Sequence, residues 1–114
     1  MGRNDVALSA NTLNYLVLKA LDAGARHGYG VARWIESVTD DALSVEEGSL
    51  YPALHRLEKQ SLLESRWGTS ESNRRAKFYR LTDAGRELLE AESRNWAHFA
   101  AAMSKVVAAG ADPN

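Results

Sequence analysis

The hydrophobic period of this chain changes twice, from helical to alternating after Ser61 and back to helical after Leu81, and few folds open to 114 residues accommodate that order. In the amino-terminal part, Leu13, Leu16, Val17, Ala20 and Leu21 stand at i, i+3, i+4, i+7 and i+8, the apolar stripe of an amphipathic helix that Gly24 closes as a left-handed cap. Tyr15 and Leu18 lie off that stripe and predict a second apolar surface, for another element or subunit. A short second helix is predicted from about Val31 to Val38, after His27-Gly28-Tyr29-Gly30, with Val31, Trp34, Ile35 and Val38 inward. Leu50, Leu54 and Leu57 mark a third helix that runs to about Gln60. Its start has two readings. Ser44 and Glu47 have the spacing of a capping box, whereas Ser49 can cap a helix beginning at Leu50 and leave Pro52 in the first turn; the earlier start implies a kink at Pro52.

After Ser61, Leu63, Ser65 and Trp67 alternate with Glu64 and Arg66, and Phe78, Tyr79 and Leu81 sit among Lys77 and Arg80, which predicts two short strands. The polar segment Gly68 to Arg75 between them reads as a hairpin loop longer than a tight turn. Thr82 can cap a final helix from about Asp83 to Ala108. There Leu89, Trp96 and Met103 recur every seven residues, and Phe99 and Val106 fill the other heptad slot, which Glu92 interrupts. A helix of that length, roughly 39 Å, cannot bury a whole stripe on so small a domain. Its surplus is expected to meet the first and last helices of a second subunit, with Tyr15, Leu18, Leu89, Trp96, Phe99, Met103 and Val106 at the interface. The expected fold is therefore mainly α with a small β-hairpin: a winged helix-turn-helix over residues 1–82, with its wing at about 62–81, a dimerisation helix at 83–109 and a flexible tail at 110–114.

With 14 basic and 15 acidic residues the formal charge is −1, which by itself argues against a polyanionic partner. Position along the chain reverses that inference. Residues 36–47 carry five acids and no base, while residues 66–80 carry five bases against Glu71 alone. On the third helix, 100° per residue sets Leu50, Leu54 and Leu57 on one side and Pro52, His55, Arg56 and Lys59 on the other, with Ser49 and Tyr51 at the margins. Arg and Lys neutralise phosphates or contact guanine edges, His and Ser donate to either, and Tyr reaches a phosphate or a thymine methyl. These six, with Arg74, Arg75 and Lys77 of the wing, are the candidate contacts to double-stranded DNA.

Other function classes find little support. There is no cysteine, so disulfides, thiolate zinc sites and thiol catalysis are excluded. No apolar run approaches the ~18 residues of a membrane span, no signal-peptide apolar region is visible, and Val6 stands where a myristoylation motif after Gly2 needs Ser or Thr. A cytoplasmic protein is expected. His27-Gly28-Tyr29-Gly30 lacks the third glycine and preceding strand of a nucleotide loop, no serine elbow occurs, and His27, His55 and His98 have no ligand spacing. No enzyme, cofactor or metal is expected.

Three segments resemble the PadR family of bacterial transcriptional regulators: His27-Gly28-Tyr29-Gly30-Val31-Ala32, Glu47-Gly48-Ser49-Leu50-Tyr51-Pro52-Ala53-Leu54-His55-Arg56-Leu57-Glu58, and Phe78-Tyr79-Arg80-Leu81-Thr82-Asp83-Ala84-Gly85. The similarity extends from about Leu8 to Val107, and the length matches the short branch with one carboxy-terminal helix; Glu47 departs from the proline many relatives carry there. The resemblance implies a homodimeric repressor, usually of a nearby transporter, detoxification or stress operon, that binds an imperfect palindrome. It also implies, from drug-responsive relatives, a small aromatic effector at the dimer interface, where Trp96, Phe99, Ala100 and Met103 would line the site. The competing reading is a winged helix that binds protein; such modules lose the basic reader and wing that this chain keeps.

Overall fold

The computed structural model describes residues 8–110; the reading of Gly2 and Val6 and most of the predicted tail, residues 111–114, lie outside them. Helix α1 (Ala10–Ala20) begins where the Ser9 side chain accepts from the Thr12 amide at 3.2 Å. It buries Leu13, Val17, Leu18 and Ala20. Leu18 is only 1% exposed, so the expectation that it faces a second subunit is corrected. The reason is tertiary: α1 is central, packed on three sides by the other helices, and a helix so placed has no idle apolar flank. Gly24 keeps its positive φ of 153°, but it closes the turn after the helix, four residues beyond Ala20, and is not the helix cap.

A strand too short to be read from alternation follows: β1 (Arg26–His27) pairs with the hairpin, making a three-stranded antiparallel sheet. Helix α2 (Gly28–Val38) starts about three residues earlier than predicted, because His27 Nδ1 accepts from the Gly30 amide at 3.0 Å and serves as the cap. Gly28 lets the Tyr51 ring lie against the start of the helix, since a Cβ would stand 2.7 Å from it. Val31 and Ile35 are buried, whereas Trp34 is half-buried and Val38 exposed, correcting the inward placement of Val38. The helix ends at Val38, and Thr39 Oγ1 donates to the Ile35 carbonyl as the chain turns away from the core.

Helix α3 (Glu47–Lys59) uses neither predicted start: it begins after Glu46, with no side-chain cap. Pro52 therefore lies in the second turn, where its missing N–H leaves the Gly48 carbonyl without its helical donor. Leu50, Ala53, Leu54 and Leu57 are its buried side. Strands β2 (Leu63–Thr69) and β3 (Arg75–Leu81) run further than predicted, reducing the loop to residues 70–74. Asn73 adopts φ 61°, and the Ser70 amide donates to the Arg74 carbonyl at 2.8 Å, closing the tip. The sheet order is β1-β3-β2.

Helix α4 (Asp83–Ala108) has the predicted bounds, and Thr82 Oγ1 accepts from the Gly85 amide at 3.0 Å. A methyl on Gly85 would run into the Leu62 carbonyl, so the helix start lies directly against the α3–β2 connection. Leu89 is 4% exposed and completes the core of its own chain, which corrects its assignment to the subunit interface. From Ala97 to Gly110 every residue is exposed, and the molecule extends 60 Å along its longest axis. The architecture is the expected one, mainly α with a small sheet, with three helices, a wing and a long terminal helix.

Candidate nucleic-acid interface

The β2–β3 register places Leu63, Ser65, Trp67 and Thr69 opposite Leu81, Tyr79, Lys77 and Arg75, all on one face of the hairpin. Near its base this face is core, with Leu63, Tyr79 and Leu81 buried. Towards the tip the strands outrun the core, and the same face passes beside α3. There Trp67, Arg74, Arg75 and Lys77 of the wing meet Tyr51 and His55 of α3, and His27 and Tyr29 at the start of α2, around an open cleft of about 750 Å³.

Charge on the wing is less simple than a count of residues 66–80 suggests. Arg80 Nε lies 2.6 Å from Glu64 Oε2 and Lys77 Nζ lies 3.5 Å from Glu58 Oε1, so two of the five bases are paired within the chain. Arg66, Arg74 and Arg75 are exposed and have no carboxylate partner among the described residues. The Arg75 guanidinium sits 4.5 Å over the Trp67 ring, which orders a long side chain while its donors stay available. Tyr79 forms the floor. Burial pushes its phenol above the ordinary 10.0, and the Glu58 charge and Tyr51 act in the same direction.

Of the nine DNA contacts expected from sequence, Tyr51, His55, Arg74, Arg75 and Lys77 share the cleft. Ser49, Pro52 and Lys59 are exposed on α3 outside it. Arg56 is exposed but turned towards α1, where its Nη2 donates to Asn14 Oδ1 at 3.3 Å. Lys77 lines the cleft while its Nζ lies 3.5 Å from Glu58 Oε1, so its charge there is shared with a carboxylate. Sequence reasoning missed His27, Tyr29 and Trp67. Trp67 was detectable: its alternation with Arg66 put it on the core face, and at 57% exposed it stands beyond the core's edge. His27 and Tyr29 stand in a segment that carries the family resemblance, but nothing local places them at the wing; the pairing of β1 with β3 does.

A second exposed surface lies on α4. Tyr15 Oη hydrogen-bonds Ser93 Oγ at 2.9 Å, its ring lies 5.9 Å from Trp96, and Trp96 meets Phe99 edge-on at 5.9 Å. Trp96 and Phe99, with Glu92 and Asn95, face Ser9, Asn11 and Thr12 across a shallow groove of about 350 Å³. Ala100 and Met103 are exposed beyond it, and Phe99 is 54% exposed. No helix among the described residues is long and apolar enough to cross a membrane.

Three helices with a basic, aromatic wing folded beside the third define a winged-helix DNA-binding protein. The pattern of the transcriptional regulator PadR-like family matches residues 17–91, more than half of the chain, and the chain belongs to that family, whose members are transcription regulators and not enzymes. A PadR family transcriptional regulator from Eggerthella lenta is 32% identical, with a TM-score of 0.68 over 88% of this chain and 85% of that one. A structure from Streptococcus mutans superposes with a TM-score of 0.77 at 28% identity, covering 90% of this chain and 92% of that one. A 37.1 kDa protein in transposon TN4556 of Streptomyces fradiae is 40% identical over 92 residues, 81% of this chain but 25% of that protein's length.

Proposed function

We propose that this DNA-binding regulator is a homodimeric repressor that docks two reading helices on successive major-groove turns of an imperfect palindrome, about 34 Å apart. The observation that carries the reading is the cleft between α3 and the wing, where Arg74 and Arg75 stand, without carboxylate partners among the described residues, beside Tyr51 and His55. The exposed apolar side of α4, with Phe99, Met103 and Val106, supports the dimer, because a helix that leaves its own core needs a second surface to cover it. Ser49, Pro52, Arg56 and Lys59 on the reading helix, and Lys77 of the wing, complete the set of DNA contacts. The regulated genes are of the transporter, detoxification or stress type, and the chain's own promoter belongs among the sites to test. The place of action is the cytoplasm.

A planar, apolar or cationic effector between paired Trp96 rings, with Phe99, Ala100 and Met103 around it, releases DNA by favouring a spacing of the two reading heads that does not fit the operator. Selection of bound fragments from the source organism's DNA, repeated at raised salt, tests the central claim. Steep loss of affinity with salt is expected despite the acidic total charge, since only the docking surface exchanges counterions; a flat dependence overturns it. Titration with planar dyes tests the effector. Trp96→Ala is expected to abolish the response, and an unchanged response removes Trp96 from the site.

A further inference from the structure

Glu58 lies one residue before the end of α3, half-buried under the hairpin, although acids at helix ends usually face water. Its two oxygens are committed to different strands. Oε2 accepts from Ser65 Oγ of β2 at 2.6 Å, and Oε1 lies 3.5 Å from Lys77 Nζ of β3. Ser65 stands opposite Tyr79 and Lys77 opposite Trp67, so the carboxylate bridges the ladder diagonally, just above buried Tyr79. Lys77 Nζ also lies 5.7 Å over the Tyr79 ring. Among the described side-chain hydrogen bonds and ion pairs, those of Glu58 alone join α3 to β2 and β3.

The position of these contacts along the hairpin matters. Below them, Leu63, Tyr79 and Leu81 hold the hairpin by core packing. Beyond Phe78, where pairing with β1 ends, the hairpin continues as two strands past the Trp67–Lys77 pair to Arg75 and the tip loop, with no core beneath. A two-stranded ribbon is marginal on its own and twists readily. An unanchored wing would have to be ordered when DNA binds, and that entropy is lost from affinity. The contrast is the other wing ion pair, Arg80–Glu64, which joins the two strands to each other in solvent and does nothing to fix the wing against α3.

We propose that Glu58 is a positioning residue that clamps the wing to the reading helix, so that the Trp67–Arg75 stack and the Tyr51–His55 face meet DNA as one preformed unit. The inference rests on the DNA-binding reading above and adds a division of labour: Lys77 is the clamp's counter-charge, and Arg74 and Arg75 supply the free charge.

The test uses the full chain and a duplex selected by the wild-type protein from random-sequence DNA. Glu58→Ala is expected to weaken affinity about tenfold through lost preorganisation. It should also speed amide hydrogen exchange across residues 65–78 while leaving α1 and α4 unchanged, a pattern that general destabilisation does not produce. Glu58→Gln keeps an acceptor for Ser65 and should recover part of the loss. Lys77→Ala added to Glu58→Ala should cost almost nothing further, because both remove one interaction. Wild-type affinity in Glu58→Ala, or fully additive losses with Lys77→Ala, overturns the clamp while DNA binding by the wild type stands. A wild-type chain that selects no duplex overturns the DNA-binding reading, and this one with it.

Discussion

The wing cleft and the outer half of α4 both expose aromatic side chains, yet their surroundings differ in kind. Trp67 stands among Arg75, Arg74 and Lys77, with its ring under a guanidinium. Phe99, Met103 and Val106 stand on a helix whose last turns hold one charged residue, Lys105. An exposed aromatic among cations suits a polyanion, because the ring orients the charge and stacks on sugar or base. An exposed apolar stripe with almost no charge suits a like surface that removes it from water. The contrast is what the proposed function rests on, with DNA on one surface and a second copy of the chain on the other, and it can be broken from either side.

The largest expected effect is on the first surface. Arg74→Glu with Arg75→Glu should lower duplex affinity by about a hundredfold or more and flatten its salt dependence, with sedimentation unchanged. Next, Phe99→Glu with Met103→Glu should convert the dimer to a folded monomer in sedimentation, since like charges would be buried at the seam; DNA affinity should fall only through loss of the paired half-site. A dimer that survives this change would move the interface elsewhere. Leu18→Ala sharpens the division between core and interface: it should cost about 2–3 kcal/mol of unfolding free energy by opening a cavity, at unchanged association. Trp67→Ala should weaken DNA binding by about 1 kcal/mol, chiefly by releasing Arg75, and Trp67→Phe by less.

The smallest effect is a test of burial by pH. The folded-state pKa of Tyr79 lies above 10.0, so the neutral phenol is favoured in the fold, and the corresponding stability is fully present below that value. It is lost as pH rises through the folded-state pKa. Tyr79→Phe should therefore reduce the alkaline fall in melting temperature above about pH 10. An identical alkaline profile in the variant would show that Tyr79 does not titrate out of its buried site.

Much of this division was legible in advance. Of the heptad positions of α4, Phe99, Met103 and Val106 are left uncovered while Leu89 is core, and the helix bounds followed from one capping threonine and a long periodic run, the strongest kind of local signal. The basic wing was visible as soon as charge was read by position. Other features depended on distant partners. Leu18 and Leu89 looked like interface residues because periodicity reports which side of a helix is apolar and not what covers it; α1 is packed by the other three helices, α4 by α1 and β3, and both leucines are buried. The true start of α3 was hidden because Glu46 makes no side-chain cap, leaving two serines as better local candidates than the position actually used.

The sequence by itself determined the four helices and the hairpin in their order, the leucine side of α3 and the separation of acidic from basic segments, all of which depend on near neighbours along the chain. Tertiary structure decided which charges remain free. Lys77 and Arg80 find Glu58 and Glu64 across 19 and 16 residues of chain, while Arg74 and Arg75 find none among the described residues. It also decided that β1 brings His27 and Tyr29 to the wing. Pairing between side chains far apart in the chain is set by the fold's packing, and no local period encodes it.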